Sequence, residues 1–66
     1  ERLAVAAFEQ AQATGDDDLI DEVSRTIGVS SPTLQEVFDT CIRYLRAEER
    51  AQRFMQTRLG VVEDDG

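Results

Sequence analysis

The side chains that could do chemistry are few, and their spacing does not match a catalytic or metal site. Cys41 is the only cysteine and the chain has no histidine, so neither an internal disulfide nor a thiolate–imidazole zinc site can form. No imidazole is present to activate Cys41 as a nucleophile. We therefore predict that the protein is not an enzyme and has no catalytic residue, metal ion, cofactor or small-molecule ligand. We expect Cys41 to be packed in the core.

An acidic cluster at residues 16–22 is the closest match to a calcium-binding loop. The EF-hand pattern would need a ligand in place of Ile20 and a glycine in place of Asp21. Carboxylates at the start of a helix are better explained by capping and by the helix dipole. We interpret the cluster as the beginning of a helix.

The charge balance argues against anionic partners. The chain has 14 acidic and 7 basic residues, a formal net charge of −7, which does not favour nucleic acid or an anionic membrane. No apolar run approaches the roughly 18 residues of a membrane span. With no signal-peptide pattern at its start and a lone cysteine, the chain is expected in the cytoplasm.

A stripe of arginines marks one side of the last predicted helix. Its members recur at helical spacing: Arg43, Arg46, Arg50 and Arg53. Such a stripe could bind phosphate or an acidic partner. We favour a solvated face, because Asp39 can pair with Arg43 and Glu49 with Arg53 at i, i+4.

Hydrophobic periodicity predicts three helices and no strand. The first covers residues 1–13, has an alanine-rich face and ends at Gly15. The second follows the acidic cluster and ends at Ile27, where Gly28 supplies a left-handed cap and Val29 folds back onto Val23.

The third predicted helix is the longest. Ser31 caps it, Pro32 occupies its first position, and nothing interrupts it before Gly60. Its apolar face consists of Leu34, Val37, Phe38, Cys41, Tyr44, Leu45, Met55 and Leu59. The predicted fold is all-α, with two short helices packed on the N-terminal half of a long C-terminal helix. Residues 1–60 form one helical domain, and residues 61–66 form an acidic flexible tail.

The length of the third helix predicts association. Residues 32–59 would span about 42 Å, whereas a compact chain of this size is about 28 Å across. The far end would leave four apolar residues in water, and these are the candidate oligomer interface: Ala51, Phe54, Met55 and Leu59. We predict a homodimer, with another protein as the alternative partner. A break near residues 48–49 that folds the end back as a fourth helix is the alternative geometry.

The segment around the second predicted turn resembles the helix-turn-helix of many transcriptional regulators. Ser24 is the small residue four positions before Gly28, residues 28–30 read Gly-Val-Ser, and residues 33–34 are Thr-Leu. The resemblance covers residues 20–38. It implies a tight helical corner and DNA contacts through Arg25, Gln35 and Arg43. Our first prediction is a protein-interaction or assembly module acting through a helical dimer surface, and a DNA-binding regulator is the alternative.

Overall fold

Three α-helices make up the described chain. A computed structural model describes the backbone of residues 2–65 and the side chains of residues 2–58. Helix α1 is Arg2–Thr14, α2 is Asp18–Ser30 and α3 is Pro32–Asp65. The three helices pack against one another, and α3 contacts both shorter helices. These contacts confirm the predicted all-α fold, in which two short helices pack on a long third one.

Helix α1 packs through alanines and ends at a left-handed glycine. Ala4, Ala7 and Ala11 are buried, because their small side chains let the neighbouring helices approach closely. Gly15 has φ 71°, a conformation that costs glycine little. The N–H groups of Gly15 and Asp16 both donate to the carbonyl oxygen of Ala11, at 2.8 and 3.1 Å. These bonds satisfy a C-terminal carbonyl of the helix, as in a Schellman ending.

The acidic cluster begins α2, as predicted. The Asp18 N–H donates to Asp16 Oδ1 at 3.1 Å, which satisfies one of the unpaired donors at the helix start. Asp18 and Asp21 lie in the first turn, where the helix dipole favours negative charge. The hydrogen bond from the backbone to Asp16 and the helix dipole therefore explain why carboxylates are placed here.

The predicted end of α2 is wrong. The helix continues through Gly28 to Ser30, Gly28 does not have a positive φ, and Val29 is 89% exposed rather than packed on Val23. Proline ends α2 instead, since it lacks an N–H and disfavours helical geometry in the residue before it. Ser31 is accordingly extended, with φ −153° and ψ 95°.

The start of α3 follows the prediction. Ser31 Oγ accepts a hydrogen bond of 3.1 Å from the Leu34 N–H, and Pro32 is the first helical residue. A serine cap followed by proline is a combination that favours helix initiation. Only Ser31 separates α2 from α3, so the corner between these helices is very tight.

The core is small and lies at the N-terminal half of α3. Phe38 is its one fully buried large side chain among the described residues. The buried set is Ala4, Ala7, Ala11, Ile20, Phe38 and Ile42. Half-buried apolar residues pack around it: Phe8, Leu19, Val23, Ile27, Cys41 and Leu45. Cys41 therefore contacts the edge of the core, less deeply than we predicted.

Helix α3 has no break at residues 48–49, so the fourth-helix alternative is wrong. It extends beyond Gly60, where we predicted its end, to Asp65. Glycine weakens a helix without terminating it. The side chains of residues 59–66 lie outside the described residues, and the division of the chain into 1–60 and 61–66 remains a prediction.

Gly28 lies close against the Gln35 side chain, and its backbone conformation does not itself require glycine. A Cβ at Gly28 would lie 2.6 Å from Cδ and Oε1 of Gln35 on α3. Alanine is more favourable than glycine in a helix by about 0.5–1 kcal/mol. In a Gln35→Ala background, we expect Gly28→Ala to raise the free energy of unfolding by that amount. In the otherwise unchanged protein the gain should be smaller, because the Gln35 side chain must move.

Urea denaturation of the four proteins in this double-mutant cycle measures the difference. An equal effect of Gly28→Ala in both backgrounds would contradict the packing role of Gly28.

Candidate interaction surface

The corner between α2 and α3 is joined by a short chain of hydrogen bonds. Ser24 Oγ donates to Asp39 Oδ1 at 2.7 Å, and Gln35 Nε2 donates to Ser24 Oγ at 3.3 Å. All three side chains are half-buried. The small residue of the helix-turn-helix-like pattern thus links the two helices.

The three residues proposed for DNA contact have different surroundings. Gln35 points toward Ser24 and Gly28, within the corner. Arg25 and Arg43 are exposed. Arg43 lines a cavity of about 220 Å³ between α2 and α3 that does not include Arg25 or Gln35.

The cavity at the corner has charges of both signs. Its polar lining is Asp21, Ser24, Asp39, Arg43 and Arg46. Arg43 and Arg46 are therefore close to carboxylates from both helices, which reduces the local positive potential. This arrangement gives little attraction for phosphate.

The arginine stripe is a solvated face, as we predicted, although only one of its two expected ion pairs is present. Arg53 pairs with Glu49 at i, i+4. Asp39 accepts a hydrogen bond from Ser24, and among the described side chains it forms no ion pair with Arg43. The four arginines are all exposed.

The distal part of α3, which we call the stem, consists of residues 50–58. Every residue of the stem is exposed, and these include Ala51, Phe54 and Met55 of the predicted interface. Phe54 is 61% and Met55 is 55% exposed. The guanidinium carbon of Arg58 lies 5.8 Å from the centroid of the Phe54 ring. Leu59, the fourth predicted interface residue, has its side chain outside the described residues.

The apolar face of α3 divides into two parts, which the sequence analysis had joined. Phe38 and Ile42 face α1 and α2, and Ile42 was missing from the predicted face. Val37 and Tyr44 are exposed, Tyr44 by 72%. On a helical projection these two residues lie roughly 100–120° from Phe38, on the same side as Met55.

The exposed part has heptad spacing, with steps of three and four residues in alternation. We call it the seam, and its members are Leu34, Val37, Cys41, Tyr44, Glu48, Ala51, Met55 and Arg58. All are exposed except Cys41, which is half-buried. A repeat of this kind keeps one stripe facing a partner helix over its whole length. This spacing is present in the sequence. It is not evident when all the apolar residues of α3 are placed on a single broad face.

Charge is unevenly distributed between the stem and the body, which we define as residues 1–49. Residues 1–49 carry eleven carboxylates and four arginines, a formal charge of −7. The stem carries three arginines and no carboxylate, and residues 59–66 carry three carboxylates. The exposed stem is therefore basic beside a strongly acidic body.

Two further kinds of site have no support among the described residues. In this part of the chain, no group of three or more cysteine and carboxylate side chains is placed to hold a metal ion. No described helix combines the length and apolar character that crossing a membrane requires.

Comparisons with known proteins give no relative from which function could be inferred. No protein-family model matches the chain, and neither a curated protein nor a solved structure matches it.

The Ser24 hydroxyl should contribute to stability, because it donates a hydrogen bond to Asp39 and accepts one from Gln35. Ser24→Ala leaves Asp39 and Gln35 without this half-buried partner, and we expect the free energy of unfolding to fall by about 1–2 kcal/mol. Ser30→Ala is the matched control, since Ser30 is exposed and has no side-chain hydrogen bond within the described chain. Equal effects of the two substitutions on urea denaturation would show that the hydrogen-bonded link is unimportant.

Proposed function

We propose that this protein is a non-enzymatic assembly module, which binds a second helical chain along the exposed side of α3 and works as a dimer. The observation that carries the proposal is the stem, a helical segment with Ala51, Phe54 and Met55 exposed. An apolar stripe of this kind on an unsupported helix indicates contact with another molecule.

The dimensions of the chain support the same proposal. Its radius of gyration is 15.2 Å, whereas a compact chain of this length would have about 11 Å. The longest extent is 53 Å and the shortest 15 Å. A second helix along α3 would produce a more compact particle. Burial of about 800 Å² on each partner would make a standard interface.

The DNA-binding alternative receives less support from the corner of α2 and α3. Gln35, the proposed base reader, donates a hydrogen bond to Ser24 and lies against Gly28. Base readout would require this side chain to leave the corner and reach a base edge. Exposed Glu36 and half-buried Asp39 on the same helix would also repel phosphate.

Light scattering tests the proposed dimer. At high micromolar concentration we expect twice the 7.4 kDa mass of the chain. Met55→Glu should weaken association at least tenfold, about 1.4 kcal/mol, because it places an unpaired carboxylate in the apolar seam. Phe54→Glu should act in the same direction.

The matched control is Thr57→Glu, which adds the same charge about 160° away around the helix. Arg43→Glu, on the body, is a second control. Both should leave the dimer intact. A monomer mass for the unmodified chain, or equal dissociation by Thr57→Glu and Met55→Glu, would contradict the proposal. Operator binding at nanomolar protein and physiological salt, weakened by Gln35→Ala, would favour the DNA-binding alternative.

A further inference from the structure

We infer that the chain covering the seam is a second copy of this protein whose α3 runs antiparallel. In the register we infer, Met55 faces the partner's Val37, and Ala51 faces the partner's Cys41. This inference rests on the proposed function and adds to it the identity and direction of the partner.

The heptad spacing determines what kind of partner fits. Helices pair along alternating steps of three and four residues because side chains at these positions insert between those of a facing helix with the same repeat. The seam keeps this spacing from Leu34 to Arg58, more than three heptads. A second α3 provides a matching repeat of the same length.

The charged seam positions exclude a parallel arrangement. In a parallel pair each seam residue faces its own copy, so Glu48 would face the partner's Glu48 and Arg58 the partner's Arg58. Like charges brought together in an interface cost free energy and select against that arrangement. In an antiparallel pair neither Glu48 nor Arg58 faces its own copy.

The uneven charge of the whole chain favours the same direction. A parallel pair would place two acidic bodies side by side, each with a formal charge of −7. An antiparallel pair places each stem, with three arginines and no carboxylate, along the partner's acidic body. Such complementarity selects orientation and weakens as salt is added.

Side-chain size and polarity select the register. With Met55 opposite the partner's Val37, two apolar side chains meet, and small Ala51 meets the partner's Cys41. Tyr44 then faces the partner's Glu48, to which its hydroxyl could donate a hydrogen bond.

The neighbouring register, shifted by one heptad, makes poorer contacts. Cys41 would face the partner's Arg58, and Ala51 would face the partner's Glu48. Both charged groups would then meet side chains that provide neither a counter-charge nor a strong hydrogen bond. In the first register Glu48 faces the Tyr44 hydroxyl, and only Arg58, opposite the partner's Leu34, has no polar group facing it. That register therefore leaves fewer charged groups without partners.

The native cysteine makes the orientation measurable by disulfide cross-linking. In the inferred pair the two Cys41 residues are offset by about 15 Å along the helix axis, too far for a disulfide, which needs Cα atoms about 4.4–6.8 Å apart. Under mild oxidation at high micromolar concentration, the unmodified protein should remain uncrosslinked. Ala51→Cys, which keeps Cys41, should form a covalent dimer whose bridge joins positions 41 and 51.

Cys41→Ser combined with Ala51→Cys is the matched control. It contains the new thiol without its expected partner and should not cross-link, because the two introduced thiols are again about 15 Å apart along the axis. A second pair, Val37→Cys with Met55→Cys in the Cys41→Ser background, should cross-link position 37 to position 55. Peptide mapping after proteolysis identifies each bridge.

The outcomes separate this inference from the proposed function. If the unmodified protein has a monomer mass, the proposed dimer itself is wrong. If it is a dimer whose Cys41 residues link to each other, the dimer stands and the antiparallel orientation is wrong. Failure of both introduced pairs to cross-link in a folded dimer would reject the register.

Discussion

The structure depends on a mismatch in helix length. Helix α3 has 34 residues, about 51 Å, while α1 and α2 have 13 residues each, about 20 Å. Two short helices therefore cover one end of α3, and the described side chains beyond that end, residues 50–58, are all exposed. The buried core at Phe38 and the exposed stem at residues 50–58 are two consequences of this mismatch.

The body buries too little apolar surface to be very stable on its own. Half of its six buried residues are alanines, each of which removes only a small apolar area from water. A domain of about 60 residues hides only some 60% of the surface of its unfolded chain. Association that buries Met55 and Tyr44 would add to stability through mass action, so folding and pairing would be thermodynamically linked.

Local signals predicted the helices well, because their causes lie within a few residues. Ser31 with Pro32 specifies the start of α3, and Gly15 ends α1 through its own left-handed backbone. Gly28 was assigned wrongly for a physical reason. A glycine after an apolar stripe is typical of a helix cap, but here the neighbouring Gln35 side chain occupies the space of a Cβ. That contact joins two helices and is not visible in the local sequence.

The candidate surface was predicted only in part for a related reason. Periodicity places Val37, Phe38 and Tyr44 on one broad side of α3, but it cannot say where α1 and α2 will lie. Their packing buries Phe38 and leaves Val37 and Tyr44 exposed, so the seam extends well beyond the predicted interface residues. Glu48 interrupts the apolar face in the sequence. Its role in disfavouring a parallel pair follows only from its position within the seam.

Hydrogen exchange of the stem amides tests most directly whether α3 is covered by a partner. An unsupported helical end opens readily, whereas a paired helix protects its amides in proportion to the population of the dimer. We expect exchange at residues 50–58 to slow as protein concentration rises through the micromolar range, while amides near Phe38 change less. Fast exchange of the stem at every concentration would contradict the account, because it would show that the exposed side of α3 remains in water.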